Sequence, residues 1–232
     1  MNIYLSGSGV FAVQVAEALT SAGHSIKGIA SPRLRKGKVV EDISTIDRLR
    51  AWALRHEVAW TDATELRARN IPDHVHLIIS AHSHAFIGRQ TRARASIAAI
   101  GYHPSLLPLH RGRDAIKWTI RDRDRVTGGT VYHLTERTDG GPIAAQEHIL
   151  VPPDATVESL WRDQLAPLGV HLLMRVVSDL SNGVRVMVPQ DEQLASWEPS
   201  MDAQLLFKPE LVALPGPDSN FMTDANKWAL VA

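Results

Sequence analysis

The 232-residue chain contains no cysteine, which excludes disulfides, thiolate-bound zinc and cysteine nucleophiles. Neither charge is in excess. The 25 Lys and Arg balance 25 Asp and Glu, so no global basic field draws the chain to nucleic acid. No apolar run is long enough to span a bilayer. The opening Met1-Asn2-Ile3-Tyr4-Leu5 lacks the basic stretch that begins a signal peptide. These absences lead to an expected cytoplasmic protein with neither a membrane nor a nucleic-acid partner. What is present is a 44% hydrophobic composition, enough at this length for one sizeable core or one domain plus a small appendage.

The chain opens as strand, glycine turn, helix, strand. Residues 2–6 read as a buried strand, and Gly7-Ser8-Gly9 as a turn. Phe11, Val15, Ala18 and Leu19 give a helical stripe that Gly23 can close, and residues 24–30 read as a second strand. This order begins a doubly wound, mainly parallel α/β sheet with helices on both faces. The glycine turn has two readings, a tight packing turn or a phosphate cradle at a helix N-terminus. It lacks the third glycine of a dinucleotide fingerprint, which argues against NAD. Arg33, Arg35, Lys36 and Lys38 lie in an expected exposed loop.

Further along, residues 44–56 form an expected helix with Ser44-x-x-Asp47 as its cap. Residues 62–69 and 90–99 form two shorter ones, with an edge strand over 58–60. The run 74–81 reads as a central strand ending in Ala81-His82-Ser83-His84. His82 and His84 share a side of extended chain but have no third ligand nearby, so no metal site is expected. Residues 114–121 read as a helix, and two strands, 130–134 and 143–151, flank an Asp139 loop as a hairpin-like ribbon. Residues 156–182 read as helical with a kink at Pro167 and Gly169. From about residue 190 the periodicity fades. The expected organisation is a domain over 1–190 and a tail over 191–232, acting as a strap over the domain or as a homodimer contact.

The most informative stretch is Ile100-Gly101-Tyr102-His103-Pro104-Ser105-Leu106-Leu107-Pro108, followed by Arg111-Gly112. Pro104 pushes His103 toward extended geometry, which places the histidine where an apolar strand leaves the sheet. Ligands bind at such carboxyl ends in open α/β sheets. His-Pro-Ser-Leu-Leu-Pro with Arg-Gly, and later Thr138-Asp139-Gly140-Gly141-Pro142-Ile143 with Gln146, resemble the two signatures of the folate-dependent formyltransferases. The resemblance covers roughly residues 1–190. It implies a Rossmann-like fold, 10-formyltetrahydrofolate as formyl donor and a small-molecule amine as acceptor.

The same resemblance implies site residues. His103 and Asp139 are the expected catalytic pair. His82, His84, Ala85, Phe86, Ile87 and Leu106 are expected around the folate, and Ser8, Gly9, Ser105 and Arg111 around the acceptor. One feature departs from the family: its Asn two residues before the histidine is Gly101 here. If another group fills that space, one of His82, Ser83 or His84 is expected to turn toward His103, since an imidazole can donate as an amide does. Tyr102, one residue along the strand, is expected to point away. Two further readings compete: hydrolysis of the same donor, and a repurposed member that only binds a ligand in the folate pocket.

Overall fold

The computed structural model describes residues 1–38, 42, 44–83 and 85–201. Seven strands form one sheet: β1 (Asn2–Gly7), β2 (Ser25–Ser31), β3 (Trp60–Asp62), β4 (Leu77–Ala81), β5 (Ala98–His103), β6 (Val126–His133) and β7 (Ile143–Leu150). Their order is β3-β2-β1-β4-β5-β6-β7. The first five pair in parallel, and β6 and β7 add antiparallel. The strand order reverses between β1 and β4, so the crevice of the sheet opens at their carboxyl ends, one strand from His103.

Period-two alternation divides the side chains between two cores. Ile3, Leu5, Leu77 and Ile79 face helices α1 (Gly9–Ser21), α2 (Arg48–Arg55) and α6 (Ala166–Ser181). Tyr4 and Ile78 face the other way, onto Leu66, Ile71, Val75 and Ile87. That second face is covered by short helical pieces: 3-10 turns at Ala63–Glu65 and Ala68–Asn70, and the single-turn α3 (Arg89–Arg92). Contacts group Met1–Ser200 into one compact unit. Residues 202–232, most of the expected tail, lie outside the described residues. Among the described residues no helix is long and apolar enough to cross a membrane.

Several expected elements are shorter or displaced. The helix expected over 44–56 starts at Arg48, because Asp42 takes the backbone N–H of Ser44 and Thr45 in a turn and the capping role passes to Asp47, which accepts from Leu49 N. The edge strand lies at 60–62 rather than 58–60. The helix expected over 62–69 is two separate 3-10 turns, and that over 90–99 stops after α3 so that β5 can begin at Ala98. The long helix over 156–182 departs from α geometry in the turn just before Pro167. A one-turn α5 (Val157–Leu160) leads into a π-helical turn, Trp161–Leu165, before α6. Pro167 comes just after this turn and offers no N–H to the carbonyl of Asp163, four residues back within it.

His133 ends β6 buried, with Nε2 on the Val186 carbonyl at 2.9 Å and Nδ1 without a partner. A carbonyl only accepts, so Nε2 carries the proton of a neutral ring, and burial pushes the group below the ordinary histidine value. The unfolded chain therefore binds more protons just below pH of about 6.5. Stability is full above that pH and is lost as pH falls toward the folded value. His24, lowered by burial and then by the Met1 ammonium, acts with the same sign. The expected outcome is a melting temperature that falls between neutral and mildly acid pH, less steeply in His133→Gln but not flat. An equal slope in wild type and variant would contradict this account.

Candidate active site

β5 delivers His103 to the carboxyl edge of the sheet, where Pro104 ends the ladder. The side chain is 6% exposed. Its Nε2 lies 2.7 Å from the carbonyl oxygen of His110, so Nε2 must carry a proton. Any proton the ring takes up or releases is therefore exchanged at Nδ1. That nitrogen faces Asp139, with Oδ2 at 3.7 Å, close enough for an ion pair but too long for a direct hydrogen bond.

Asp139 is held from three directions. Tyr132 donates its hydroxyl to Oδ1 at 2.7 Å, and Gly112 N–H donates to Oδ2 at 2.9 Å. Gln190 Nε2 donates to the Asp139 carbonyl at 2.8 Å. Asp139 itself has φ of +52°, which this short polar side chain tolerates better than most. Burial, and then the neighbouring carboxylate, raise Tyr132 well above the ordinary tyrosine value, so it remains a donor.

Two cavities meet at this pair. The larger, about 540 Å³, is lined by His103 together with Phe11, His82, Tyr102, Ile116 and Trp161, with Arg113 and Lys117 among its polar residues. The smaller, about 280 Å³, lies against Ala85, Phe86, Ile87, Leu134 and Arg137. Ser80, Ser83, Tyr132, Thr138 and Asp139 line both. His103, Asp139, His82, Ala85, Phe86 and Ile87 are thus brought to one cleft, although His82 borders the larger cavity and the other folate-expected residues the smaller. His84 lies outside the described residues.

The remaining expected residues line neither cavity. Ser105 is fully buried and donates to the Leu109 carbonyl, fixing the loop after β5. Leu106 packs toward Gly128 at the sheet. Arg111 is turned to Gln190 and Glu192, to which its guanidinium donates four hydrogen bonds at 2.7–3.1 Å. Ser8 donates to the His82 carbonyl, and Gly9 N–H donates to Asp47. These groups hold the loops that shape the site.

Sequence reasoning missed Tyr132 and Gln190. Tyr132 sits directly across from Gly101 in the β5–β6 register. A Cβ at Gly101 would lie 2.9 Å from Leu134 Cδ2 and 3.3 Å from Tyr132 Cε1. The space beside His103 is thus approached by Leu134 and Tyr132 and not by His82 or Ser83, while His84, the third candidate, lies outside the described residues. His82 packs instead against Trp161, and Ser83 Oγ bonds Ser6 Oγ at 2.8 Å. The alternation that puts 101 and 103 on one face was a usable signal, since the residue opposite a strand glycine gains its room. Gln190 had no signal, because it acts from a segment without periodicity. Tyr102 lines the larger cavity although it faces away from His103 along the strand, because its ring reaches the cavity from the helical side.

The sequence pattern of the formyl transferase family matches residues 53–177, more than half of the chain. The chain belongs to that family. It is 27% identical over 205 residues to human mitochondrial 10-formyltetrahydrofolate dehydrogenase, across 85% of this chain but 22% of that protein. It is 32% identical over 206 residues to methionyl-tRNA formyltransferase of Chloroflexus aurantiacus, across 84% of this chain and 64% of the relative. It therefore spans less than two thirds of either relative's length. The fold matches an N-formyltransferase from Helicobacter canadensis, solved with folinic acid and dTDP-3-aminofucose, at a TM-score of 0.67 and 17% identity over 89% of this chain and 73% of that one. It also matches glycinamide ribonucleotide transformylase 1 from Symbiobacterium toebii, with a TM-score of 0.62 and 19% identity over 82% of this chain and 94% of the other.

The Tyr132 hydroxyl is a buried donor to an acidic side chain. Tyr132→Phe is expected to cost about 1.5–3 kcal/mol of stability, read as a lower urea midpoint. Gly101→Asn overpacks the same spot and should cost about 1–3 kcal/mol. Adding Leu134→Ala to Gly101→Asn should recover part of that loss. A neutral Tyr132→Phe, or no recovery in the double variant, would show that these contacts do not set the packing of the site.

Proposed function

We propose that the protein is an N-formyltransferase that moves a formyl group from 10-formyltetrahydrofolate to the amine of a small-molecule acceptor. The observation that carries this reading is the meeting of two cavities at Tyr132 and Asp139, with the proton-exchanging nitrogen of His103 on the larger side. Transfer needs two sites that share one reacting centre. At about 280 Å³ the smaller cavity falls at the low end of ligand pockets, typically about 300–1,000 Å³. That suits a bicyclic head group, with Ala85, Phe86 and Ile87 as its contacts. Phe86 is 66% exposed, so its ring is available to cover such a group. The folate ligand of the Helicobacter canadensis enzyme and the name of the human relative support a folate donor.

The donor supplies the formyl carbon, and the chain supplies the positions of the protons. One C–N bond forms as another breaks. The incoming nitrogen loses a proton and the departing nitrogen gains one. His103 Nδ1 is the exchangeable position, because Nε2 is committed to the His110 carbonyl. Asp139 faces that nitrogen at 3.7 Å, and its two hydrogen-bond donors keep it from turning away. When its Nδ1 is protonated, His103 can also donate to the formyl oxygen as charge builds on it. The even charge balance supports a small-molecule acceptor over transfer RNA.

The test is release of tetrahydrofolate from 10-formyltetrahydrofolate across a panel of amines, with wild type and His103→Ala side by side. The expected result is amine-dependent release that falls by at least about 10²-fold in the variant, measured well below its own melting temperature so that it is folded. Undiminished turnover in His103→Ala would remove this mechanism. Formate release that no amine alters would replace transfer by hydrolysis.

A further inference from the structure

The larger cavity has features that select its occupant. Beside it, two residues before the lining residue Phe11, is the turn that opens α1, which does not itself line the cavity. In a strand–glycine–helix unit that turn is where an anionic ligand would settle. Here the chain fills it with its own anion. Gly9 N–H donates to Asp47 Oδ2 at 3.1 Å, and the other carboxylate oxygen accepts from Leu49 N at 2.9 Å. Asp47 is 4% exposed. The Ser8 hydroxyl is engaged with the His82 carbonyl at 2.9 Å. A phosphate entering this turn would meet a buried carboxylate and find its donors already used.

The wall of the cavity itself is aromatic and braced. Phe11, in the first turn of α1, meets Trp161 edge-on with ring centroids 5.1 Å apart, and Tyr102 at 5.5 Å. His82 adds a fourth ring 5.7 Å from Trp161. Trp161 begins the π-helical turn, and the last residue of that turn, Leu165, accepts the Tyr102 hydroxyl at 2.6 Å. Such turns inside helices frequently mark functional sites. The Tyr102 ring has no room to shift, since a Cβ on either Gly129 or Gly169 would sit 2.5 Å from it. At the mouth, Lys117 pairs with Asp114 at 3.1 Å, and the exposed Arg113 is balanced by the exposed Glu158. The entrance therefore has no net sign with which to attract an anion.

We infer that the larger cavity binds an arylalkylamine: an amine on a short chain from an aromatic ring, without a phosphate. The ring packs against Trp161 and Phe11, and the amine reaches the His103 side. As an acceptor assignment this rests on the formyl-transfer reading, but binding can be measured without it.

Calorimetry on the full chain, with phenethylamine, ethylamine and O-phosphoethanolamine as probes, separates the cases. Phenethylamine should bind at least about tenfold tighter than ethylamine, since one aromatic contact of about 1.5 kcal/mol is a tenfold effect. O-phosphoethanolamine should bind no better than ethylamine. Trp161→Ala should bring phenethylamine to the ethylamine level, while Trp161→Phe retains most of the preference and guards against a folding defect. Equal binding of phenethylamine and ethylamine, preference for the phosphorylated amine, or an unchanged Trp161→Ala would each overturn the inference. If a non-aromatic amine is formylated while phenethylamine fails to bind, this inference falls and formyl transfer stands. If phenethylamine binds as expected and no amine is formylated, the binding assignment stands and the formyl-transfer reading falls.

Discussion

A buried carboxylate organises this molecule. Taking a charged group out of water is costly unless donors replace the solvent. Asp139 has its replacements from separate parts of the chain: Tyr132 from β6, Gly112 from the loop after β5, and Gln190 from the segment after α6 on its backbone oxygen. The carboxyl group thus ties β6 to the loop after β5, and the backbone oxygen of the same residue ties in the segment after α6. His103 gains its setting from the same arrangement. The loop that brings Gly112 to Asp139 also brings the His110 carbonyl to His103 Nε2. One constraint thus orients both members of the pair.

The loop is in turn fastened by residues beyond 185. Arg111 N–H donates to the Ser196 carbonyl, His110 N–H to Ser196 Oγ, and Ser196 N–H to the Pro108 carbonyl. Gln190 accepts from Arg111 through Oε1 and donates from Nε2 to the carbonyls of Asp139 and Gly141. One amide thus ties the loop after β5 to the loop after β6. His110 adds Asp124 at 2.8 Å and Glu198 at 3.2 Å to its ring nitrogens. Arg111 shows why a cation beside a site is ambiguous in sequence. The guanidinium that suits an anionic ligand suits Gln190 and Glu192 equally well.

What was legible in the sequence depended on the range of the cause. The strand exits at Gly7 and His103 and the Asp139 turn are written in local residues, chiefly glycine and proline, and their placement in the sheet follows from them. The start of α2 was also locally encoded, but two candidate caps competed and the Asp42 turn left Asp47 as the winner. The π-helical turn does have a local mark in Pro167, which offers no N–H to the carbonyl four residues back inside that turn, and a distant contact in the Tyr102 hydroxyl on Leu165. Gln190 lay in a segment without periodicity, where sequence offers only composition.

Gly101 looked like a loss and is half of a pair. In the β5–β6 register Gly101 faces Tyr132, and Tyr102 faces Val131, so the two tyrosines lie on opposite faces of neighbouring strands. Each ring rests where a glycine leaves space: Tyr132 over Gly101, and Tyr102 over Gly129, two residues along from its partner Val131. Large against small is a stable way to fill adjoining strands. The outcome differs on the two faces. Tyr132 directs its hydroxyl to Asp139, and Tyr102 directs its own to the π-helical turn that presents Trp161. A side chain at position 101 would contend with the Tyr132 ring, so the glycine and the Asp139 geometry belong to one arrangement. On this account the position cannot be judged by what a single residue lacks, because the room it leaves is filled by Leu134 and by the phenol that faces it.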